Sequence, residues 1–492
     1  MCEAWVYAAG RMIPTALKDP TMRSPLLSAA LLCLILTLPA NAQPDLSGDH
    51  LDGTEPLVMD EPLDVVMVRG INYFAEREIA DSPNRRPAKW NRDYSSVEAY
   101  EKSVEPNRER LREIIGAVDE RVAGARPWMA VPLRRPGAQA LGPAKPVWPV
   151  PVQWPVHPGV TAEGVYIARD PFESPAAIVI LLPDANSTPQ MMLERARDPQ
   201  SGVHVEMLAA GDCHVLIPSL INRSDEFSGN SDIRFTNQPH REFVYRMAFE
   251  MGRHVIGYEV QMISAAVDWL ELAYAQHEDT PIVVAGIGEG GLLALHSAAV
   301  DPRIDGALVS GYFGPREEVW QEPIYRNVWS QVAEFGDADI ASLVAPRPLV
   351  IEASATKEID GPPVPRDGRS GGAAPGRIRG VTVEDARAEF AAAQQHYSSL
   401  RVESNIAFVA SEDGDGPAGS KAAWKSLFSL LGIEPEGTSI RLADWPNGDE
   451  RSPQGRQVRE LVDYTQALMH RSDKVRDRFW AGVDRSSVEA CV

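Results

Sequence analysis

Residues 282–295 read Ile282-Val-Val-Ala-Gly286-Ile287-Gly288-Glu289-Gly290-Gly291-Leu-Leu-Ala-Leu295: strand, sharp turn, helix. Gly286 and Gly290 stand where glycines flank a nucleophile in Gly-x-Ser-x-Gly, because that turn is strained and the flanking backbone passes too close to its neighbours for side chains. The frame is intact, but residue 288 is glycine, with no group to attack a carbonyl or carry an acyl intermediate. Gly286, Gly288 and Gly291 also fit Gly-x-Gly-x-x-Gly. That fingerprint wants an acidic residue at the end of the next strand, where Ser310 stands, and no Lys-Ser/Thr follows for a phosphate loop, so no nucleotide cofactor is expected.

Outward from the turn, short apolar runs recur: Val165-Tyr-Ile-Ala, Ala177-Ile-Val-Ile-Leu-Leu, His214-Val-Leu-Ile, Gly306-Ala-Leu-Val, Leu349-Val-Ile-Glu and Ile406-Ala-Phe-Val-Ala. Helical patterns separate them, including Val260, Ile263, Val267 and Leu270 at helical spacing. Apolar strands alternating with helices give an α/β fold with a mostly parallel central sheet flanked by helices. The expected layout is a leader over 1–42, a helical N-terminal extension over 43–125, the sheet domain over 126–435 and a C-terminal helical extension over 436–492. Prolines recur from Arg126 to Pro158 and mark the boundary in which the sheet begins, and Gly361–Gly380 reads as a surface insertion loop.

The chain of 492 residues is 44% apolar and 24% charged, enough for a large core. Residues 22–42 (MRSPLLSAALLCLILTLPANA) have an Arg near the front, an apolar run and a small-x-small cleavage site. They read as a secretory signal peptide, with translation starting at Met22, so the expected location is secreted or periplasmic, with no membrane association after cleavage. Of four cysteines only Cys213 and Cys491 follow the leader, which leaves no disulfide framework. With 69 acidic against 48 basic residues the net charge is −21, which repels phosphate backbones and excludes nucleic acid as partner. Asp413-Gly-Asp415-Gly lacks a third alternating ligand and a closing Glu, so no metal site is expected.

Three segments carry a family resemblance: the turn at Gly286–Gly291, Asp301-Pro-Arg-Ile-Asp-Gly-Ala-Leu-Val-Ser-Gly-Tyr-Phe-Gly314, and Asp339-Ile-Ala-Ser-Leu-Val-Ala-Pro-Arg-Pro-Leu-Val-Ile-Glu352. Together they resemble the dienelactone-hydrolase and acetyl-xylan-esterase branch of the α/β-hydrolases, over about residues 145–435. The resemblance implies a nucleophile at the elbow, an acid after the seventh strand and a His after the eighth. Gly288 leaves the first role vacant. Glu358 is the candidate acid, with Asp360 second. Ser411-Glu-Asp-Gly-Asp-Gly-Pro-Ala-Gly419 follows the eighth strand without a His, so the general base is missing as well.

Two readings follow. In the first, the chain is a degenerate esterase scaffold that binds a small-molecule or carbohydrate ligand or a partner. Longer relatives in this branch join such a half to a second, esterase-like half, so association with a second esterase-like domain or chain is expected. In the second, the chain is an active ester hydrolase on acetylated carbohydrate or lactone, built from Glu358, Glu289 and His240. Ligands of open α/β sheets sit at the carboxyl ends of the strands. Asp184, His240, Arg241 and Arg326 are accordingly the candidate ligand-binding residues, with Glu289 presenting a backbone N–H to an oxyanion and its side chain toward the pocket. The same charged residues also fit a salt-bridged loop scaffold.

Overall fold

The computed structural model describes residues 59–124, 126–129, 145–168, 174–196, 208, 212–229, 236–277, 279–434, 440–442, 451–484 and 486–491. The leader and signal segment expected over 1–42 lie outside these residues. The chain divides into two compact units after Asn72. The division falls within α1 (Leu63–Ala80), a helix without buried residues. The larger unit, from Tyr73 onward, carries the central sheet.

Eight strands build its sheet: β1 (Val150–His157), β2 (Val160–Ile167), β3 (Ala177–Leu182), β4 (Cys213–Pro218), β5 (Ile282–Ile287), β6 (Gly306–Ser310), β7 (Leu349–Ala353) and β8 (Ile406–Ala410). A two-residue strand, Trp128–Met129, adds to the edge at β1, and the order across the sheet is β1-β2-β4-β3-β5-β6-β7-β8. β1, β2 and β4 pair antiparallel, and every pairing from β4 to β8 is parallel. That order, with the strand–turn–helix after β5, is the α/β-hydrolase fold. β3, β4, β6 and β7 are buried along their whole length, which explains their unbroken apolar runs.

Helices cover both faces. α5 (Val255–Ala273) crosses from β4 to β5 with 15 buried residues, so it lies inside the core rather than on it. α2 (Val97–Ile114), in the stretch read as an N-terminal extension, also joins the core. Tyr100, Val104 and Leu111 recur at helical spacing on its buried face. Tyr100 donates its hydroxyl to the Ser342 carbonyl at 2.7 Å, and the buried Arg108 guanidinium donates to the carbonyls of Ala299 and Leu343. α4 (His240–Phe249), α6 (Glu289–Val300), α7 (Val383–Ser399) and α9 (Arg451–Trp480) pack into the same core as α5 and α2, and α3 (Pro189–Arg195) and α8 (Lys421–Leu430) cover the opposite face. α9 is tied to β2 by the Arg456–Glu163 pair at 2.9 Å and by Glu460, which accepts from the Thr161 N–H at 2.8 Å.

The turn between β5 and α6 is packed against the sheet without spare room. A Cβ at Gly286 would lie 1.9 Å from the Gly290 carbonyl oxygen, and one at Gly290 would lie 2.2 Å from the Leu182 carbonyl oxygen. Both obstacles are backbone and cannot swing aside. Gly290→Ala should therefore cost about 3 kcal/mol or more, as severe overpacking does. Gly482→Ala, where a Cβ meets nothing within 4 Å, should leave stability unchanged or slightly raised. Urea denaturation of the two variants checks this contrast.

Candidate active site

At the carboxyl ends of the strands lies a cavity of about 300 Å³ whose floor is Ile287 and Gly288. Gly288 has φ 58° and ψ −114°, the strained backbone of a nucleophile elbow, and starts α6. Six cationic side chains line the cavity (Arg195, Arg223, Arg316, Arg326, Lys357 and Arg379) against two acidic ones, Asp184 and Glu322. No histidine lines it among the described residues.

Asp184, in the turn after β3, takes the central place. Its carboxylate accepts the backbone N–H of Glu289 at 3.2 Å and two bonds from Arg223 at 2.8 and 3.3 Å. In an elbow with a serine, the N–H of the residue after the nucleophile points at the developing oxyanion. Here that donor is already spent on an internal anion. A Cβ built on Gly288 would stand 2.9 Å from Asp184 Oδ2, so the same carboxylate crowds the place of the missing side chain. Burial alone would raise the Asp184 carboxyl, but the charge and hydrogen bonds of Arg223, with the Asn186 N–H, hold it below the usual carboxylate range.

Beneath the elbow the Glu289 side chain is wholly buried. Arg223 and Arg326 reach its Oε2 at 2.7 and 2.8 Å, and Arg241 reaches Oε1 at 3.0 Å. Burial opposes its charge, yet Arg326, Arg241 and Arg223 outweigh it and keep the carboxyl well below its ordinary range. The network runs on through Arg241 to Glu259 on α5 at 2.9 Å, and through Arg326 to Glu322 at 3.0 Å. Asp184, Glu289, Arg241 and Arg326 are thus brought together. Only Asp184 and Arg326 of these four line the cavity; Glu289 and Arg241 lie behind its wall.

His240 does not join them. Its Nε2 accepts the Phe227 N–H at 2.8 Å and its Nδ1 lies 2.8 Å from Asn222 Oδ1, which fixes one neutral tautomer with both nitrogens used. Burial pushes its pKa down to about 4. Glu358 is exposed and pairs with Arg379 at 3.1 Å, and it borders a neighbouring cavity rather than the one over Gly288. The acid that is buried near the strand ends is Glu352. It accepts from Ser310 Oγ at 2.5 Å and from the Gly419 and Ser420 N–H groups at 2.7 and 3.0 Å, tying β6 and β7 to the start of α8.

Arg223 and Glu259 complete the network, and Glu352 the tie at the strand ends, beyond the residues that the sequence pattern marks. Glu259 and Glu352 each interrupt an otherwise apolar, buried segment, and a lone acid in such a run signals a buried partner. Arg223 follows β4 in a polar loop and carries no comparable signal.

No family model matches the chain, and no curated protein matches it. Among solved structures it is similar to a methylesterase (12% identity, 82% of this chain and 81% of that one, TM-score 0.47). A glucuronoyl esterase from Teredinibacter turnerae shows 14% identity over 70% of this chain and 89% of its own, with a TM-score of 0.43. Acetyl xylan esterase 1 from Thermoanaerobacterium shows 12% identity over 68% and 94%, with a TM-score of 0.40. The esterase-like fold of this chain rests on its own strand order and elbow, and its chemistry on its own residues.

Installing the absent hydroxyl should not restore hydrolysis. Gly288→Ser must adopt a left-handed φ, at a cost of about 1–3 kcal/mol, and its Cβ, 2.9 Å from Asp184 Oδ2, makes that carboxylate oxygen give way. Its thermal midpoint should fall, and its turnover of 4-nitrophenyl acetate should equal that of a heat-killed control. Clear turnover by this single variant would show that a base is already in place.

Proposed function

We propose that the chain is an exported α/β-hydrolase-fold protein with a vacant catalytic centre, whose strand-end pocket binds a small-molecule or carbohydrate ligand or a partner. The observation that carries this reading is Asp184 on the Glu289 N–H. The elbow lacks a nucleophile at Gly288, and the donor that would stabilise an oxyanion is committed to a carboxylate. Acyl transfer needs charge to develop where that carboxylate sits, and two like charges there oppose each other. The missing imidazole after β8 supports the same reading, because no histidine stands among the described residues that line the cavity.

Export rests on the signal-like segment at 22–42. No helix among the described residues is long and apolar enough to cross a membrane.

Ester hydrolysis by Glu289, Glu358 and His240 finds no favouring observation. A carboxylate held ionised by three arginines is a weak base, His240 has both nitrogens engaged, and Glu358 faces Arg379. The full chain, offered 4-nitrophenyl acetate and acetylated xylan, should release product no faster than the heat-killed protein. Turnover above that control, abolished in Glu289→Gln, would overturn the reading.

A further inference from the structure

A cleft of about 420 Å³ lies beside the strand-end pocket and shares Asn186 and Ser187 with it. Its walls are β1, β2 and the first residues of α3 and α9, and Trp128 lines it from the sheet edge. We propose that this cleft binds a neutral sugar unit of an oligosaccharide, stacked on Trp128 and hydrogen-bonded through the unspent acceptors of Glu163 and Gln190 and the carboxamide groups of Asn186 and Asn222.

Three observations point to that ligand. Trp128 is 63% exposed while forming part of the cleft. A large indole left open to water beside a concave wall offers a flat apolar face, and the C–H side of a pyranose ring matches it. Second, Glu163 Oε1 and Gln190 Oε1 are buried atoms without a hydrogen-bond partner among the described residues. Buried acceptors are normally satisfied, so two orphans in one cleft call for donors from outside the chain, which hydroxyl groups supply. Asn222 spends its Oδ1 on His240 and the Ser224 N–H, leaving its Nδ2 to donate, and the Asn186 carboxamide makes no bond within the described chain.

Charge selects neutral sugars over acidic ones. Among the described residues no Lys or Arg lines the cleft, and the ionised wall group there is Glu163, whose Oε2 is held by Arg456 and Gln153. A ligand carboxylate or phosphate would meet the free oxygen of Glu163 and be repelled. A flexible polyol has the hydroxyls but no rigid face for the indole. The cleft is separate from the elbow, so this inference stands whether or not the elbow is catalytically vacant.

Calorimetric titration of the full chain with neutral tetraoses of xylose, glucose, mannose and galactose, beside glucuronate and glycerol, tests it. At least one tetraose should bind saturably, and glucuronate and glycerol should not compete. Trp128→Ala should weaken that binding at least tenfold with an unchanged thermal midpoint, Trp128→Phe should recover part of it, and Gln190→Ala should weaken it several-fold. Trp320→Ala, which removes an indole that is 51% exposed and outside the cleft, should bind as the native chain does. No heat with any tetraose, or tetraose binding untouched in both Trp128→Ala and Gln190→Ala, would overturn the proposal.

Discussion

A fully buried carboxylate under the elbow, Glu289, must be neutralised, and the strand-end loops are arranged to do so. Its three arginines come from separate elements: Arg223 from the loop after β4, Arg241 from the first turn of α4, and Arg326 from the segment after β6. Removing one partner of such a cluster leaves charge without compensation in a low-dielectric interior, which typically costs about 3–5 kcal/mol. The cluster therefore fixes where those loops can lie. Arg223 then passes the constraint outward, because the same guanidinium that serves Glu289 pins Asp184 across the Glu289 N–H. The electrostatics that hold the loops also fill the place where an ester carbonyl would be polarised.

The two cavities that meet at Asn186 and Ser187 differ in kind. The strand-end pocket is lined by cations whose counter-charges stand partly behind the wall, in a chain whose net charge is −21. Among the described residues the neighbouring cleft has an exposed indole, amides and hydroxyls and no cation. Polar contacts at fixed positions on a rigid sheet give orientation, and the apolar face gives area, which together are what a ligand site requires.

Much of this was legible in the sequence because it depends on local pattern. Runs such as Ala177–Leu182 and Leu349–Glu352 are apolar because both faces of their strands are covered, and the glycines at 286 and 290 mark backbone contacts that tolerate no Cβ. The vacancies at residue 288 and after β8 are readable by inspection. What was not legible depends on distance in space. Nothing near Arg223 announces that it bridges Asp184 and Glu289, and no spacing separates the exposed Glu358 from the buried Glu352, six residues earlier in sequence. α2 looked like an extension because its surface is highly charged, while Tyr100, Val104 and Leu111 fill its hidden face.

The most direct measurement is the intact mass of the purified full chain after exposure to a fluorophosphonate, a reagent that captures any serine activated by a neighbouring base. With Gly288 at the elbow and Asp184 on the oxyanion donor, the mass should remain that of the untreated protein. A stoichiometric single adduct, absent after heat denaturation, would contradict the account and identify by peptide mapping the nucleophile that the elbow lacks.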